Sequence, residues 1–274
     1  MKNVVFIANK TKASALSIAE RLVGYAESAG FSCEVFSGFP VEREAFEGRD
    51  ICCVIGGDGT ILSCVPSLVK NSLPIFGINL GKLGFLANYT DGISRENFLE
   101  LISGGGIMHE RALLRADING SEHLALNDFV MKDSRAAGIS SFRIFSDSEF
   151  VADYVGDGLI FSTPTGATAY NLSAGGPLIH PDMRAFVMTP VCPHTLTNRS
   201  LIFNDASSVR IKCLGGRSTL LADGMEITGL EAGDEFEIRM PPQTMKFVCL
   251  KGHSNFGILR NKLGWAEDPR RHVK

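Results

Sequence analysis

The sequence contains few of the features that mark membrane, secreted or metal-binding proteins. Its apolar runs fall far short of the roughly 20 residues that a membrane-spanning helix needs. The first residues, MKNVVFIANK, contain too short an apolar run for a secretion signal. The seven cysteines are odd in number, scattered and without a CxxC pair, which argues against a zinc site and a disulfide framework. These absences predict a cytoplasmic protein with reduced thiols.

Strong charge of either sign is also missing. The 27 Lys and Arg nearly balance the 30 Asp and Glu, so no overall field favours nucleic acid or an anionic membrane. The six histidines occur in no HxxxH or HExxH spacing, which argues against a histidine metal site. We therefore expect no nucleic-acid partner, no membrane partner and no protein-bound metal. With 274 residues, 45% of them hydrophobic, the chain suits one large domain or two smaller ones.

The first hundred residues alternate between strand-like and helix-like patterns. Short apolar runs typical of buried strands occur at VVFIAN, SCEVFS, ICCVI and PIFGIN. The segment ASALSIAERLVGYAES repeats its apolar residues at helical spacing and precedes Gly30, a common helix terminator. Such alternation predicts an α/β domain with a Rossmann-like parallel sheet over residues 1–105. Pro66 lies inside the helical run that Thr60 opens, and we expect it to kink or end that helix.

The pattern changes near Arg111, where short β-rich runs replace helical periodicity. RADINGSEHLALNDFVM contains two such runs around an Asn-Gly turn, and FRIFSDSEFVADYV contains two around a polar turn. We therefore predict a β-rich second domain over residues 106–254. Helical periodicity returns in SNFGILRNKLGW, so residues 255–274 are expected to begin with a helix that can pack on either domain.

The strand ICCVI runs directly into GGDGT. In an open α/β sheet, a loop after a strand lies at the carboxyl edge, where ligands bind. Glycines with positive φ can arrange N–H groups around an anion, and Thr60 can cap a helix whose N-terminus favours phosphate. We therefore predict a phosphate loop formed by Gly56, Gly57, Gly59 and Thr60.

Asp58 needs a separate explanation, because a carboxylate beside phosphates repels them. One hypothesis is that Asp58 accepts a proton from an attacking hydroxyl or helps to hold Mg²⁺. The other is that Asp58 only accepts backbone N–H groups in a tight turn. The motif alone leaves these two hypotheses about equally supported.

A second unusual stretch is GDGLIFSTPTGATAYNLSAGGPLIHPDM, residues 156–183. Its apolar strand is followed by about twenty residues rich in Ser, Thr and Gly. These residues offer short hydrogen-bonding groups and allow close approach of the backbone, and Tyr170 adds an aromatic face. The pattern favours a site for a polar, flat ligand such as a nucleoside, although ordinary turn chemistry explains its shorter pieces.

Together these stretches resemble the NAD kinase family. GGDGT, GINLGKLGFLA, LALNDFV, GDGLIFSTPTGATAYNLSAGGPLIHP and MTPVCPHTLTNR occur in the order and spacing of that family, and NKLGWAEDPR extends the similarity into the tail. The resemblance implies that the second domain is an all-β, sandwich-like NAD-binding domain and that the final helix returns to the first domain. It also implies phosphorylation of the adenosine 2′-hydroxyl of NAD to give NADP.

The resemblance also implies roles for individual residues. Asp58 matches the catalytic carboxylate, a general base for the 2′-hydroxyl, and Phe85 matches an aromatic wall of the adenosine pocket. Asn127 matches a contact to base and ribose, and Asp157 an acidic residue near the nicotinamide end. The implied substrate-binding residues are Gly59, Lys82, Phe85, Asn127, Asp128, Asp157, Thr165, Thr168, Ala169 and Tyr170.

Three positions depart from the family pattern. Asp128 replaces a Glu and is one methylene shorter, so its ribose contact is expected to be rearranged or to run through water. Lys82 stands where His or Arg is usual. Val155 precedes GDG where Arg is common, which removes one expected phosphate contact.

The resemblance implies NAD and ATP, or polyphosphate, as substrates, with Mg²⁺ held mainly through the donor phosphates, and a homodimer or homotetramer. GGDGT alone is shared with phosphofructokinases and with diacylglycerol and sphingosine kinases, which leaves a lipid or sugar kinase as an alternative. A non-catalytic dinucleotide-binding regulator is a third hypothesis. The Thr-rich stretch argues against the first alternative, and the intact Asp58 argues against the second. The sequence does not decide between ATP and polyphosphate or between NAD and NADH.

Overall fold

The computed structural model describes residues 2–38, 41–81, 84–134, 138–195 and 199–264, which form three β-sheets and five α-helices. The strands are β1 (Asn3–Ala8), β2 (Ser32–Phe36), β3 (Ile51–Gly56), β4 (Ile75–Asn79), β5 (Tyr89–Thr90), β6 (Ile107–Ala112), β7 (Leu114–Ile118), β8 (Ser121–Ala125), β9 (Asp128–Asp133), β10 (Ser140–Ser146), β11 (Glu149–Gly156), β12 (Gly158–Ser162), β13 (Ala185–Val191), β14 (Leu201–Asn204), β15 (Ser208–Gly215), β16 (Ser218–Ala222), β17 (Met225–Leu230), β18 (Glu235–Arg239) and β19 (Thr244–Cys249). The helices are α1 (Ala15–Ser28), α2 (Asp58–Lys70), α3 (Arg95–Ser103), α4 (Tyr170–Ser173) and α5 (Asn255–Leu263). None of the helices in this part of the chain is long and apolar enough to cross a membrane.

The first sheet has seven strands in the order β2-β1-β3-β4-β19-β6, with β5 paired to β4. All of these pairs are parallel except β19 with β6. Helices α1 and α3 cover one face of the sheet and α2 covers the other, so β1 and β3 are buried on both sides. That burial explains why these strands read as continuous apolar runs. The predicted α/β domain with a parallel sheet is confirmed.

Two strands from the predicted β-rich region also belong to this first sheet. β19 pairs in parallel with β4 and antiparallel with β6, and its Phe247 and Val248 pack into the cores on opposite faces. The chain therefore leaves the first domain along β6 and returns along β19. The sheet extends past the boundary at residue 105 because a short apolar run does not reveal which sheet it will join.

The second and third sheets have six antiparallel strands each. Their orders are β11-β10-β15-β18-β7-β8 and β14-β13-β12-β9-β16-β17. Phe142 and Phe236 of one sheet and Phe161 and Phe186 of the other lie in a single buried cluster. Two sheets that share one core form a sandwich. The sandwich-like second domain is therefore confirmed.

Helix α2 runs through Pro66 without ending, so the expectation that Pro66 ends the helix is wrong. Pro66 lies on the exposed side of the helix, whereas Ile61, Cys64 and Leu68 on the other side pack into the core. Burial of that face holds the helix together although Pro66 has no N–H to donate to the carbonyl oxygen of Leu62.

Helix α5 begins beside the first sheet. The Arg111 guanidinium, at the end of β6, donates a hydrogen bond to the Asn255 side-chain oxygen (3.0 Å), and Ser254 caps the helix by accepting the Gly257 N–H. This contact places the start of the C-terminal helix at the first domain. Residues 265–274, predicted to complete that domain with the helix, lie outside the described residues.

Candidate active site

Asp58 is the first residue of α2, directly after β3 ends. Gly57 occupies the N-cap position in an extended conformation. Thr60 does not cap the helix, contrary to the prediction: its N–H donates to the Gly57 carbonyl oxygen, and its Oγ1 accepts a hydrogen bond from the Asn9 amide at 3.0 Å. The N-terminus of α2, with its positive end of the helix dipole, therefore lies at the carboxyl edge of the first sheet.

The glycines of this turn provide space rather than unusual backbone angles. Gly56, Gly57 and Gly59 do not have positive φ, so the predicted nest of N–H groups is wrong. A Cβ atom on Gly56 would lie closer than 3.0 Å to Thr60 Oγ1. The tight contact between strand end and helix start therefore explains Gly56, and the helix N-terminus is the feature that favours phosphate here.

The Asp58 carboxylate is held by three consecutive backbone N–H groups. Oδ2 accepts the Phe85 N–H at 2.9 Å, and Oδ1 accepts those of Leu86 and Ala87 at 3.2 and 2.9 Å. Gly84 lies so close that a Cβ atom there would overlap the carboxylate. Asp58 thus has a fixed orientation, and the segment 85–87 has a fixed position beside it.

Buried hydrogen bonds hold the Thr-rich stretch against the segment 126–128 of the same domain. Thr163 Oγ1 donates to the Leu126 carbonyl oxygen (2.6 Å) and accepts the Gly166 N–H (3.0 Å). The Thr163 N–H donates to the Asn127 carbonyl oxygen (2.9 Å). Gly166 lies against the Asn127 backbone, where a Cβ atom would clash. The loop after β12 therefore packs directly on the segment 126–128.

Two hollows lie beside Asp58. The first, which we call the interdomain cavity, is lined by Phe85, Leu86, Asn88, Arg111, Pro164, Thr165, Thr168, Leu178, Ile179, Pro181, Phe247, Cys249, Asn255, Ile258 and Leu259. The second, which we call the Asn127 cleft, is lined by Leu62, Asn127, Asp128, Val130, Lys132, Ala169, Tyr170, Leu221, Asp223 and Gly224. Asp58 is next to residues of both: its carboxylate accepts the N–H of Phe85, which lines the first, and it lies one helical turn before Leu62, which lines the second.

Two residues in the lining of the interdomain cavity each have a buried polar atom without a partner. Thr165 Oγ1 and Asn88 Oδ1 are buried and have no hydrogen-bond partner among the described residues. Buried polar atoms in proteins are nearly always satisfied, by protein, water or ligand. The lining of the cavity is mostly apolar with a few polar residues, as is common in ligand sites, and these two atoms are left unsatisfied within it.

Two carboxyl groups lie close together in the Asn127 cleft. Burial raises the pKa of Asp128 to about 7, and the neighbouring Asp223 adds to that rise. Burial also raises the pKa of Asp223 to about 6, although the N–H groups of Leu126, Asn127 and Asp128 act to lower it. Near neutral pH this pair therefore tends to carry a proton that two separate exposed carboxylates would have lost.

The sequence matches known proteins over most of its length. The family model described as ATP-NAD kinase N-terminal domain matches residues 40–104, and the ATP-NAD kinase C-terminal domain matches residues 126–250. An NAD kinase from Carboxydothermus hydrogenoformans is 37% identical over 80% of this chain and 81% of its own length. One from Syntrophotalea carbinolica is 34% identical over 97% of this chain and 100% of its own. The chain belongs to the NAD kinase family.

Solved structures of the NAD kinase fold superpose closely on this chain. Yeast NADH kinase in complex with NADH gives a TM-score of 0.88, with 24% identity over 98% of this chain and 89% of its own. An NAD kinase from Archaeoglobus fulgidus in complex with ATP gives a TM-score of 0.81, with 23% identity over 96% and 99%. These similarities establish the shared fold.

The predicted site residues of this NAD kinase family member divide into two groups. Seven of them line the two hollows, namely Phe85, Asn127, Asp128, Thr165, Thr168, Ala169 and Tyr170, and Asp58 binds the backbone N–H of Phe85. Asp157 lies at the opposite end of β12 from Thr163, exposed, with its carboxylate beside the Cys192 thiol. Val155 is also exposed near that end, and Lys82 lies outside the described residues.

Three further residues of the site were absent from the sequence-based set. Thr163 and Asp223 hold the segment 126–128, and the buried Arg111 crosses the wall of the interdomain cavity to reach Asp182 (3.1 Å). The long-range contacts of Arg111 and Asp223 have no distinct sequence signal, because their partners are 71 and more than 90 residues away. Within the described residues, no group of three or more His, Cys, Asp or Glu side chains is placed to hold a metal.

Proposed function

We propose that this member of the NAD kinase family transfers the γ-phosphoryl group of ATP to the adenosine 2′-hydroxyl of NAD, giving NADP and ADP. The supporting observation is the placement of Asp58 at the start of α2, with its carboxylate held by three backbone N–H groups next to Phe85 of the interdomain cavity. A carboxylate held in this way can meet a substrate hydroxyl without reorganising. Phosphoryl transfer depends mainly on such positioning and on charge stabilisation.

The hydrogen bonds of Asp58 leave it able to act as a base. A carboxylate has about four lone-pair sites, two on each oxygen. Oδ1 accepts two N–H groups and Oδ2 accepts one, so one site on Oδ2 is left for the 2′-hydroxyl. In the proposed step, this oxygen takes the hydroxyl proton as the 2′-oxygen bonds to the γ-phosphorus and the bond to ADP breaks.

The N-terminus of α2 supplies the complementary charge. The first N–H groups of the helix, at Asp58 and Gly59, precede the first intrahelical bond and lie at the carboxyl edge of the first sheet. They would bind the transferring phosphoryl group. Mg²⁺ commonly binds substrate phosphates and only one or two carboxylates, so we propose that it enters with the triphosphate and neutralises its charge.

The acceptor would occupy the surface formed by both domains. Phe85 offers an aromatic face from the first domain, and the Asn127 amide offers a donor and an acceptor from the second. Tyr170, which is 45% exposed, adds a second aromatic face at the rim of the cleft. A nucleoside held between these groups would bring its ribose to Asp58.

We further propose that the protein acts in the cytoplasm as a homodimer or homotetramer. All seven cysteines are free, as a reducing compartment requires. The edge strand β14 exposes Leu201 and Ile202, the latter by 56%, which is a surface that self-association would cover.

The decisive test is NADP formation from NAD, ATP and Mg²⁺ by the purified protein and by Asp58→Asn. The proposal predicts activity in the unmodified protein and a loss of roughly a hundredfold or more in kcat in the variant. Because Asn also replaces one acceptor of the 85–87 segment, binding of NAD is measured separately by calorimetry. Retained binding with lost kcat assigns the defect to the proton transfer.

Asp91→Asn is the matched control, since Asp91 is exposed in the same domain. It should keep the unmodified kcat. Polyphosphate and NADH, tried in place of ATP and NAD, determine the donor and acceptor preferences. A protein that binds NAD yet phosphorylates it with neither donor would contradict the proposed function.

A further inference from the structure

The hairpin turn between β16 and β17 contains a second carboxylate that binds three consecutive N–H groups. Asp223 and Gly224 both have positive φ, 49° and 81°, as in the tight hairpin turns that Asn-Gly and Asp-Gly form. The Asp223 carboxylate accepts the N–H groups of Leu126 (2.8 Å), Asn127 (2.7 Å) and Asp128 (3.2 Å). The turn itself does not need a carboxylate, because Asn-Gly adopts the same conformation.

The segment that Asp223 holds carries two side chains of the Asn127 cleft. On the other side of the segment, Thr163 bonds to the carbonyl oxygens of Leu126 and Asn127. The three N–H groups of the segment thus point to the Asp223 carboxylate, the carbonyl oxygens of Leu126 and Asn127 point to Thr163, and the Asp128 carbonyl oxygen accepts the Asp223 N–H (2.9 Å). With both edges of the backbone bonded, the side chains of Asn127 and Asp128 have defined directions into the cleft.

We infer that Asp223 is a positioning residue for the acceptor nucleoside: it fixes the backbone of residues 126–128 so that Asn127 and Asp128 meet the bound substrate. This inference rests on the proposed function. Asp223 does for the second domain what Asp58 does for the segment 85–87 of the first, since each carboxylate binds three successive N–H groups. Asp58 keeps one lone-pair site for chemistry, whereas Asp223 acts through its neighbours.

A carboxylate is required for this role. An Asn side chain in the same place has only one oxygen that can accept N–H groups. Its NH₂ would replace one of the two Asp223 oxygens and would point a donor at a backbone N–H, which is also a donor. Asp223→Asn is therefore expected to keep the turn and to lose part of the hydrogen bonding that holds the backbone of residues 126–128. The chain offers a matched control at the turn between β7 and β8, where Asn119 and Gly120 have φ of 52° and 73° and are exposed. Asn119→Asp makes the reverse change in the same type of turn, away from the cleft.

The test compares steady-state kinetics with NAD for the unmodified protein, Asp223→Asn and Asn119→Asp. We expect KM for NAD to rise at least tenfold in Asp223→Asn while kcat falls by less, because the anchored side chains hold the substrate and do not touch the transferring group. Asn119→Asp should keep both constants. Amide hydrogen exchange at Leu126, Asn127 and Asp128 should accelerate in Asp223→Asn alone.

A purely structural role gives a different result. If Asp223 only stabilised the hairpin, the variant would unfold at a lower temperature and lose active molecules, which lowers kcat with KM unchanged. That outcome overturns the inference. The two proposals fail separately. An inactive unmodified protein overturns the proposed function. An active unmodified protein, together with an unchanged KM in Asp223→Asn, overturns only the positioning role of Asp223.

Discussion

At the scale of single residues, the geometry of Asp58 is compatible with both roles that its motif left open. It accepts backbone N–H groups, as a structural turn residue would, and it lies next to Phe85, which lines the interdomain cavity. In the proposed function the two roles support each other, since the N–H groups fix the direction of the remaining lone pair. A backbone-bonded Asp is therefore not evidence against a chemical role.

Gly84 tests how closely the site is packed around Asp58. A Cβ atom in Gly84→Ala would overlap the Asp58 carboxylate, so we expect the carboxylate to rotate away and kcat to fall at least tenfold. Gly24→Ala is the control, because that exposed position in α1 has no atom within 4 Å of a new Cβ. It should keep full activity and gain up to about 1 kcal/mol in free energy of unfolding. Full activity in Gly84→Ala would show that Asp58 does not need its present orientation.

At the scale of elements, burial of one face decides where α2 ends. Pro66 is an exposed break in the hydrogen-bond ladder of a helix whose other side packs under the first sheet. The helix continues because the packing gains exceed the loss of one bond. Local sequence rules describe only the hydrogen bond that the proline removes and not the packing that offsets its loss.

Pro66→Ala should therefore stabilise the protein. The change restores an N–H donor for the Leu62 carbonyl oxygen and replaces the poorest helix former with the best, so the free energy of unfolding should rise by roughly 1–3 kcal/mol. Urea unfolding followed by circular dichroism measures the difference, and kcat should stay unchanged. A loss of stability would mean that α2 needs a bend at this position.

At the scale of the whole molecule, the buried pair of Asp128 and Asp223 links stability to pH. Burial raises both pKa values above the usual value of 3.8, to about 7 and about 6. Between about pH 4 and 7 the folded protein therefore binds more protons than the unfolded chain. The contribution of this pair to stability is consequently largest at low pH and declines as pH rises through that range.

Asp128→Asn should remove much of this dependence. We expect the difference in free energy of unfolding between pH 5 and pH 8 to shrink by at least about 1 kcal/mol relative to the unmodified protein. Denaturant unfolding at both pH values supplies the measurement, and Asp91→Asn, an exposed carboxylate, is the comparison. An equal pH dependence in the Asp128→Asn and unmodified proteins would mean that Asp128 ionises normally in the fold.

The amino-acid sequence alone determined the α/β class of the first domain and the β-rich class of the second, and its family resemblance pointed to part of the lining of the two hollows. Apolar runs mark β1, β3 and β4 because strands covered on both faces must be apolar throughout, and Asn119-Gly120 marks a hairpin because few residues accept positive φ. These signals are local, so they can be read from neighbouring residues.

Only the tertiary structure decided which distant segments of the chain meet. It assigned β19 to the first sheet, carried α2 through Pro66, and brought Asp223 to Asn127, 96 positions away. Asp157 bears the same carboxylate but lies at the far end of β12. Burial and hydrogen bonding between distant segments set these outcomes, and their free energies depend on neighbours that a local pattern does not contain.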